Sequence, residues 1–117
     1  MPVTDISILR TRVLAYRPRP GLGRVIAAAG GLDSATRGLA VDLAPIRTNM
    51  VVLGAIQTPL LDEFTGANPA MLEHLAGGTL AKRVGTSEEA AEAYVYLMRC
   101  SYATGSSLTV DGGSLLA

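Results

Sequence analysis

The sequence predicts an α/β fold in which strands and helices alternate around a parallel sheet. Three observations support this prediction: a near-continuous apolar run at Arg47–Leu53, a helical pattern ahead of it, and a second helical pattern that precedes a short strand. Such alternation is typical of parallel sheets with helical crossovers. We expect about three strands, two main helices and one or two short helices, in a single domain formed by the 117 residues.

The first strand and the first main helix are predicted from propensity and periodicity. Residues 6–16 are rich in residues of high strand propensity and stop at an Arg-Pro-Arg-Pro-Gly turn, so we predict a strand there. Apolar side chains then recur at spacings of three and four until Pro45, which predicts an amphipathic helix over residues 28–44.

The second strand and the segment after it differ sharply in character. The apolar run at Arg47–Leu53 suits a parallel strand that is covered on both faces, and Gly54 ends it. Residues 58–79 mix short apolar patches with prolines and glycines. We therefore predict one or two short, mobile helices there, which form a flap.

A capping box marks the start of the last helix. The Thr86 hydroxyl can accept the Glu89 amide while the Glu89 carboxylate reaches back, and acidic residues at this end suit the helix dipole. The helix is predicted over Ser87–Arg99, and Ser107–Val110 is predicted to be a short strand that ends at an Asp-Gly-Gly turn.

Charge is distributed unevenly along the chain. Residues 1–47 hold seven of the ten basic groups and three of the ten acidic ones, and the basic excess concentrates in a segment interleaved with proline and glycine, at Arg10, Arg12, Arg17, Arg19 and Arg24. This run suggests either a nucleic-acid-binding arm or a solvated turn. With one aromatic residue and no lysine in it, we favour the solvated turn and expect no nucleic-acid partner.

The composition excludes several kinds of site. One cysteine, Cys100, and one histidine, His74, allow neither an internal disulfide nor a structural zinc site, so we expect no metal. The apolar runs are far shorter than the roughly 20 residues of a membrane span. Since the N-terminus also lacks a basic segment followed by an apolar one, we predict a soluble cytoplasmic protein with no membrane partner.

Three motifs give the chain a resemblance to a known family. They are LAVDLAPIRTNMVVLGAIQTPL at residues 39–60, RVGTSEE at residues 83–89 and TGSSLTVDGG at residues 104–113. In this order and spacing they closely resemble the C-terminal half of the short-chain dehydrogenase/reductase family. The resemblance implies a partial Rossmann-like, doubly wound parallel sheet, in a truncated domain that begins near the family's fifth strand.

The resemblance also locates the positions of the family's catalytic groups. In the family a Tyr is the general acid, and a Lys four residues later lowers its pKa and holds the ribose. Counted back from the motif at residues 36–40, these positions hold Val25 and Ala29, neither of which can transfer a proton. The family's catalytic serine falls near Thr11, which retains a hydroxyl and is the candidate catalytic residue.

On the cofactor side, the resemblance implies NAD or NADP. In the family, Pro-Gly is followed four residues later by Thr; here Leu53 replaces the proline, while Gly54, Ile56 and Thr58 remain. Ile56 would meet the nicotinamide amide through its backbone, and Thr58 would bond the amide or the pyrophosphate. Alternatively, Gly54 merely ends a strand and Thr58 caps the next turn. The family's Gly-rich pyrophosphate turn is absent from these 117 residues, so the site in this chain is incomplete.

Two functions follow from these motifs. The first is an oxidoreductase of this family, nominally NAD(P)-dependent and acting on a small alcohol or ketone, in secondary-metabolite biosynthesis. The second is a non-catalytic remnant or subunit that acts through protein association. Three strands leave one sheet edge and part of a face bare, so we expect a homo-oligomer or a partner chain to cover them.

Overall fold

A parallel three-stranded sheet lies at the centre of the structure, a computed structural model that describes residues 5–117. Its elements, in chain order, are β1 (Ile6–Arg12), α1 (Gly23–Asp42), β2 (Arg47–Leu53), α2 (Pro59–Thr65), α3 (Pro69–Gly77), α4 (Ser87–Arg99) and β3 (Ser107–Val110). The strand order is β1-β2-β3. The predicted α/β fold with a parallel sheet is confirmed.

β2 is the central strand, and its two neighbours pair with different lengths of it. β1 pairs with β2 from Ile6 opposite Arg47 to Arg12 opposite Leu53, and β3 pairs with the second half of β2. The first six residues of β2 are buried, as expected for a central strand with both faces covered.

The two main helices cover opposite faces of the sheet. Val51 packs with Ala93 and Leu97 of α4, and these three residues form the centre of the hydrophobic core. Since side chains alternate along a strand, Val52 faces the other side, as does Thr11, which pairs with Val52 and bonds to α1.

Two buried polar residues of β2 tie the sheet to α4 and the turn after it. The Arg47 guanidinium donates to the carbonyls of Leu97 (2.8 Å), Met98 (3.1 Å) and Ala103 (3.1 Å). The Asn49 amide donates to Ala103 and accepts from the backbone of Ser106. Arg47 thus satisfies carbonyls at the helix C-terminus, where a positive charge is favoured.

The first strand is shorter than predicted. β1 ends at Arg12, and Val13–Ala15 form a 3₁₀ turn in which the Tyr16 amide donates to the Val13 carbonyl at 2.9 Å. The prediction of a strand to residue 16 is wrong. β2 ends at Leu53, opposite Arg12, so the residues after Arg12 have no strand to pair with.

The first helix begins earlier than predicted and ends two residues sooner. α1 starts at Gly23 rather than at residue 28, because the apolar run Val25 to Ala29 forms its first turns instead of preceding them. Gly30 and Gly31 lie inside the helix, although each lowers intrinsic helix propensity by about 1 kcal/mol relative to alanine. The spacing of apolar residues therefore placed the start five residues too late.

The remaining elements agree with the prediction. β2, α4 and β3 have the predicted bounds, and the segment predicted as a flap contains α2 and α3. The capping box is complete: the Glu89 amide donates to Thr86 Oγ1 (3.1 Å) and the Thr86 amide donates to Glu89 Oε2 (2.9 Å). Within residues 5–117, none of the helices combines the length and the apolar character that crossing a bilayer requires.

Candidate functional site

An open cleft of about 1140 Å³ lies at the carboxyl ends of β1 and β2. The ends of these strands, together with the backbone from Leu53 to Ile56, contribute to its lining. Ligands of open α/β sheets bind outside the carboxyl ends of the strands, so the cleft is the candidate functional site.

The two walls of the cleft differ in chemistry. One wall comes from the end of β1 and the segment after it, and it carries four arginines: Arg10, Arg12, Arg17 and Arg19. The other comes from the flap and is largely apolar, with Leu60, Leu61, Phe64, Leu75 and Leu80. The sequence suggested that these arginines form a solvated turn. In the structure Arg10 and Arg12 lie on β1, and all four arginines line the cleft. Arg24 belongs to α1.

Thr11, the candidate catalytic residue, lines the cleft but is only 5% exposed. Its hydroxyl donates to the Ala29 carbonyl of α1 at 3.2 Å. The oxygen retains lone pairs that can accept a further hydrogen bond. This hydrogen bond joins the two residues that the resemblance places at the family's serine and lysine. Ala29 contributes only its backbone carbonyl to the contact.

Val25, which the resemblance places at the family's tyrosine, carries no acidic group. Val25 is 54% exposed and has no ionisable group, so it cannot protonate a ligand. Tyr16, the nearest tyrosine in sequence, lies beside Asp33 of α1. Its pKa is raised, by burial first and by the Asp33 carboxylate second. The structure thus assigns Tyr16 to packing on α1.

Gly54 and Thr58 both have local structural roles. A Cβ at Gly54 would lie 2.8 Å from the Asp111 Cα, so glycine is required for β2 and the turn after β3 to approach. Thr58 Oγ1 caps α2 by accepting the Leu61 amide at 3.2 Å. These roles account for both residues, and their contact with a cofactor stays a prediction.

The backbone of Ile56 is the part of the predicted cofactor site that remains available. A parallel bridge joins Ile56 to Gly85 through the Ala55 carbonyl (2.9 Å) and the Gln57 amide (2.8 Å). Successive peptide groups of an extended segment point to opposite sides, so the amide and carbonyl of Ile56 itself face away from Gly85. The carbonyl accepts a hydrogen bond from Thr58 Oγ1 at 3.4 Å, so the amide is the group that a ligand in the cleft can use.

The Asp-Gly-Gly turn follows β3 and lies against Gly54 at the end of β2. Asp111 accepts hydrogen bonds from the Gly113 amide (2.9 Å), the Leu115 amide (3.0 Å) and the Ser114 hydroxyl (3.0 Å). Gly113 has a φ of +77°, and a Cβ there would lie 2.8 Å from Leu80. The motif therefore supports the flap rather than contacting a ligand.

Two further groups in the cleft were not identified from the sequence as site residues. Tyr94 of α4 lines it, and burial raises the pKa of its hydroxyl above the ordinary 10.0 despite the opposing effect of Arg10. Tyr94 is thus a neutral hydrogen-bond donor at physiological pH. Lys82 lines the opposite side with a φ of +57°. No local motif marks either residue, because their neighbours in the cleft are distant in sequence.

The charged residues of the flap separate in the structure. His74 lines the cleft, whereas the Asp62 carboxylate accepts a hydrogen bond from Gln57 Nε2 at 2.8 Å. Neither Glu63 nor Glu73 lines the cleft in the part of the chain that the structure describes. The arrangement does not assemble a carboxylate beside the imidazole within this cleft.

Comparison with known sequences identifies related proteins. The profile of the family described as enoyl-(acyl carrier protein) reductase matches residues 7–114. The short-chain dehydrogenase/reductase ucsE of an Acremonium species is 37% identical over 110 residues, which cover 93% of this chain and 42% of that protein.

Comparison with solved structures gives the same relationship. The MalC reductase/Diels-Alderase of Malbranchea aurantiaca superposes with a TM-score of 0.93 and 33% identity, covering 100% of this chain and 46% of that one. A small-chain dehydrogenase solved in complex with NADPH gives a TM-score of 0.86 and 28% identity, over 96% of this chain and 52% of that one. The chain spans about half the length of these relatives or less.

Proposed function

Because the chain belongs to the short-chain dehydrogenase/reductase family, we propose that it contributes the substrate side of an NAD(P)-dependent oxidoreductase site for a small ketone or alcohol. A structural relative at 29% identity, the NADPH-dependent reductase YwfH, is described as involved in bacilysin biosynthesis, which supports secondary-metabolite biosynthesis as the setting for this chain. The observation that carries the proposal is the cleft at the carboxyl ends of β1 and β2, with Ile56 in its lining.

The residues present fit the nicotinamide half of the cofactor. The Ile56 amide can donate to a carboxamide oxygen, and the Ile56 carbonyl, which accepts from Thr58 Oγ1 at 3.4 Å, keeps a second lone pair for the carboxamide NH₂. Bound there, a reduced nicotinamide supplies a hydride to a carbonyl carbon. Tyr94, whose hydroxyl lines the same cleft, can donate to a carbonyl oxygen, whereas the Thr11 proton is held by the Ala29 carbonyl.

The adenosine half has no matching pocket in the described residues. A Gly-rich turn after a first strand normally holds the pyrophosphate at a helix N-terminus. By the resemblance β1 corresponds to the family's fifth strand, and the described residues contain no strand followed by such a turn. We propose that a second chain completes the site, since β1 also leaves one edge of the sheet unpaired in residues 5–117.

Calorimetric titration with NADH and NADPH, together with light scattering for mass, tests the proposal. We expect saturable binding in the micromolar range by an oligomer and ketone-dependent oxidation of the bound cofactor. The same titration with Ile56→Pro, which removes the backbone amide, should lose binding, while Ile26→Val in α1 serves as a folded control. A folded protein that produces no heat with either cofactor contradicts the proposal.

A second candidate function is association without catalysis. It is favoured by the absence of an ionisable group at Val25 and Ala29 and by the exposure of apolar side chains along α1. Val41 is 77% exposed, and Thr36 is the buried residue of this 20-residue helix. In this case the chain binds a second copy or a partner chain through α1 and transfers no hydride.

A further inference from the structure

The cleft carries charges of one sign that the proposed hydride transfer does not use. Five basic side chains line it, and none of the described residues in its lining is an Asp or Glu; the five are Arg10, Arg12, Arg17, Arg19 and Lys82. The whole chain has equal numbers of basic and acidic residues. The positive lining is therefore a property of the cleft and does not follow from the composition.

No acidic side chain neutralises these cations within residues 5–117. The ion pairs of the described chain are Arg37 with Asp33 and Arg83 with Glu89, and both lie outside the cleft. Arg17 donates to the Ser114 carbonyl and Lys82 donates to the Gly77 carbonyl at 3.0 Å. These hydrogen bonds orient the side chains of Arg17 and Lys82. Because a carbonyl has no net charge, the two positive charges remain uncompensated by it.

The loop that carries Lys82 is fixed by a buried hydroxyl. Thr79 is 4% exposed, and its hydroxyl donates to the Ala76 carbonyl at 2.8 Å, with the Arg83 carbonyl also within reach at 3.2 Å. It also accepts the Arg83 amide at 3.3 Å. The left-handed backbone of Lys82 is held by this arrangement, so the ammonium group is presented from a defined loop.

The wall opposite the arginines exposes apolar area. Phe64 is 70% exposed, Leu80 58% and Leu60 50%, and all three line the cleft. Contiguous apolar surface beside charged groups is typical of a ligand site, because an apolar ligand body removes that surface from water. The cleft therefore combines an apolar wall with a cationic wall.

We propose that the cleft binds an amphipathic anion, a small molecule with an apolar body and an oxyanionic group such as a carboxylate, sulfonate or phosphate. The arginines at the end of β1 and in the segment after it hold the oxyanion. The planar guanidinium group suits this role because it can donate two parallel hydrogen bonds to two oxygens. The apolar body lies against the flap. That this molecule is the substrate rests on the proposed function; its binding does not require a nicotinamide.

A pair of fluorescent probes tests the charge requirement. Anilinonaphthalenesulfonate and phenylnaphthylamine share an aromatic body and differ by the sulfonate. We expect the sulfonate probe to bind about tenfold more tightly than the neutral probe. Raising the salt from about 0.05 M to about 0.5 M should weaken only the sulfonate probe, because the shorter Debye length screens its charge.

Matched variants locate the site. Arg10→Gln with Arg12→Gln should weaken the sulfonate probe about tenfold and leave the neutral probe within about twofold. Arg24→Gln with Arg99→Gln makes the same change of net charge outside the cleft and should leave both probes unchanged. The neutral probe and a circular dichroism spectrum report whether each variant is folded. For a variant that does not fold, the salt dependence of the wild type decides.

Three results would overturn the proposal. They are equal binding of the two probes, equal loss in the two double variants, and displacement of the sulfonate probe by NADPH but not by naphthoate. The last result would assign the arginines to nucleotide phosphates and leave the proposed function standing. Displacement by naphthoate and not by NADPH supports the amphipathic anion while contradicting the cofactor part of the proposed function.

Discussion

At Gly54, β2 and the turn after β3 approach so closely that a side chain does not fit. The close neighbour of a Cβ built there is the backbone of Asp111, at 2.8 Å, which cannot rotate away. We therefore expect Gly54→Ala to lower the free energy of unfolding by about 1 to 3 kcal/mol, as overpacking does. Urea denaturation measures this change.

Gly38→Ala is the matched control for Gly54→Ala. Gly38 lies inside α1 with no atom within 4 Å of a Cβ built there, so alanine should raise the free energy of unfolding by about 0.5 to 1 kcal/mol. Changes of the same sign at the two positions would show that the close approach to Asp111 does not constrain the fold.

Arg47 has a structural role although it is a charged residue in a central strand. It is 5% exposed and donates to three carbonyls at and beyond the end of α4. Arg47→Met should lower the free energy of unfolding by about 2 kcal/mol, since the carbonyls lose a charged donor. Arg24→Met, at an exposed site of α1, should change it by less than about 0.5 kcal/mol. A neutral result at Arg47 in urea denaturation would mean that burial of the charge cancels its hydrogen bonds.

At the scale of the element, α4 is stabilised at its N-terminus by a carboxylate with a depressed pKa. The Arg83 guanidinium, which meets Glu89 at 2.6 and 2.8 Å, and then the Thr86 amide lower the Glu89 pKa from 4.5 to about 2. The stabilisation is complete above the unfolded pKa and is lost as the pH falls from there through the folded value.

We expect the difference in thermal midpoint between wild type and Glu89→Gln to shrink as the pH falls from about 6 to about 2. Glu88→Gln, which makes the same charge change one residue earlier, is the control. Thermal denaturation, monitored by circular dichroism at each pH, gives the midpoints of wild type and both variants. If the two variants respond alike to pH, general charge at the helix N-terminus accounts for the effect and the contacts of Glu89 do not.

A second prediction concerns α1 as an element. Val25 and Ala29 are one turn apart and share a face of the helix. In an assembly that binds NADPH, Val25→Tyr with Ala29→Lys should raise ketone reduction by about 100-fold, the lower range of general acid–base catalysis. Val25→Phe with Ala29→Lys lacks only the hydroxyl and should give no such gain. NADPH absorbance measures the rates. Equal rates for the two variants would show that α1 does not direct the face of Val25 and Ala29 to the substrate.

At the scale of the whole molecule, the chain is extended for its size. Its radius of gyration is 15.3 Å, against about 13 Å for a domain of this length. Its accessible surface is 7428 Å², against about 6000 Å² for a monomer of this mass. Surface that would be buried in a monomeric domain is available here for association.

We therefore expect a thermal midpoint that rises with protein concentration, because association stabilises the folded chain by mass action. Val41→Glu on α1 should remove this dependence, and Phe64→Glu on the flap should preserve it. Light scattering of the same samples reports the mass. A concentration-independent midpoint with the mass of a single 12.1 kDa chain would contradict association.

The sequence alone determined the elements whose signals are local. The apolar run of β2, the capping box of α4 and the motifs of the family lie within short segments, and each was predicted with its bounds. The prediction that Val25 stands at the position of the family's acid has the same basis, because it depends on position relative to a motif.

Tertiary structure alone decided the features that depend on distant partners. β1 stops at Arg12 because β2 provides no partner beyond Leu53. α1 starts at Gly23, ahead of the residues whose spacing marks the helix in the sequence. The cationic cleft joins the segment after β1 to Lys82, about 70 residues apart in sequence. Contacts between groups so far apart in sequence leave no local pattern, and only the folded chain brings their charges to one site.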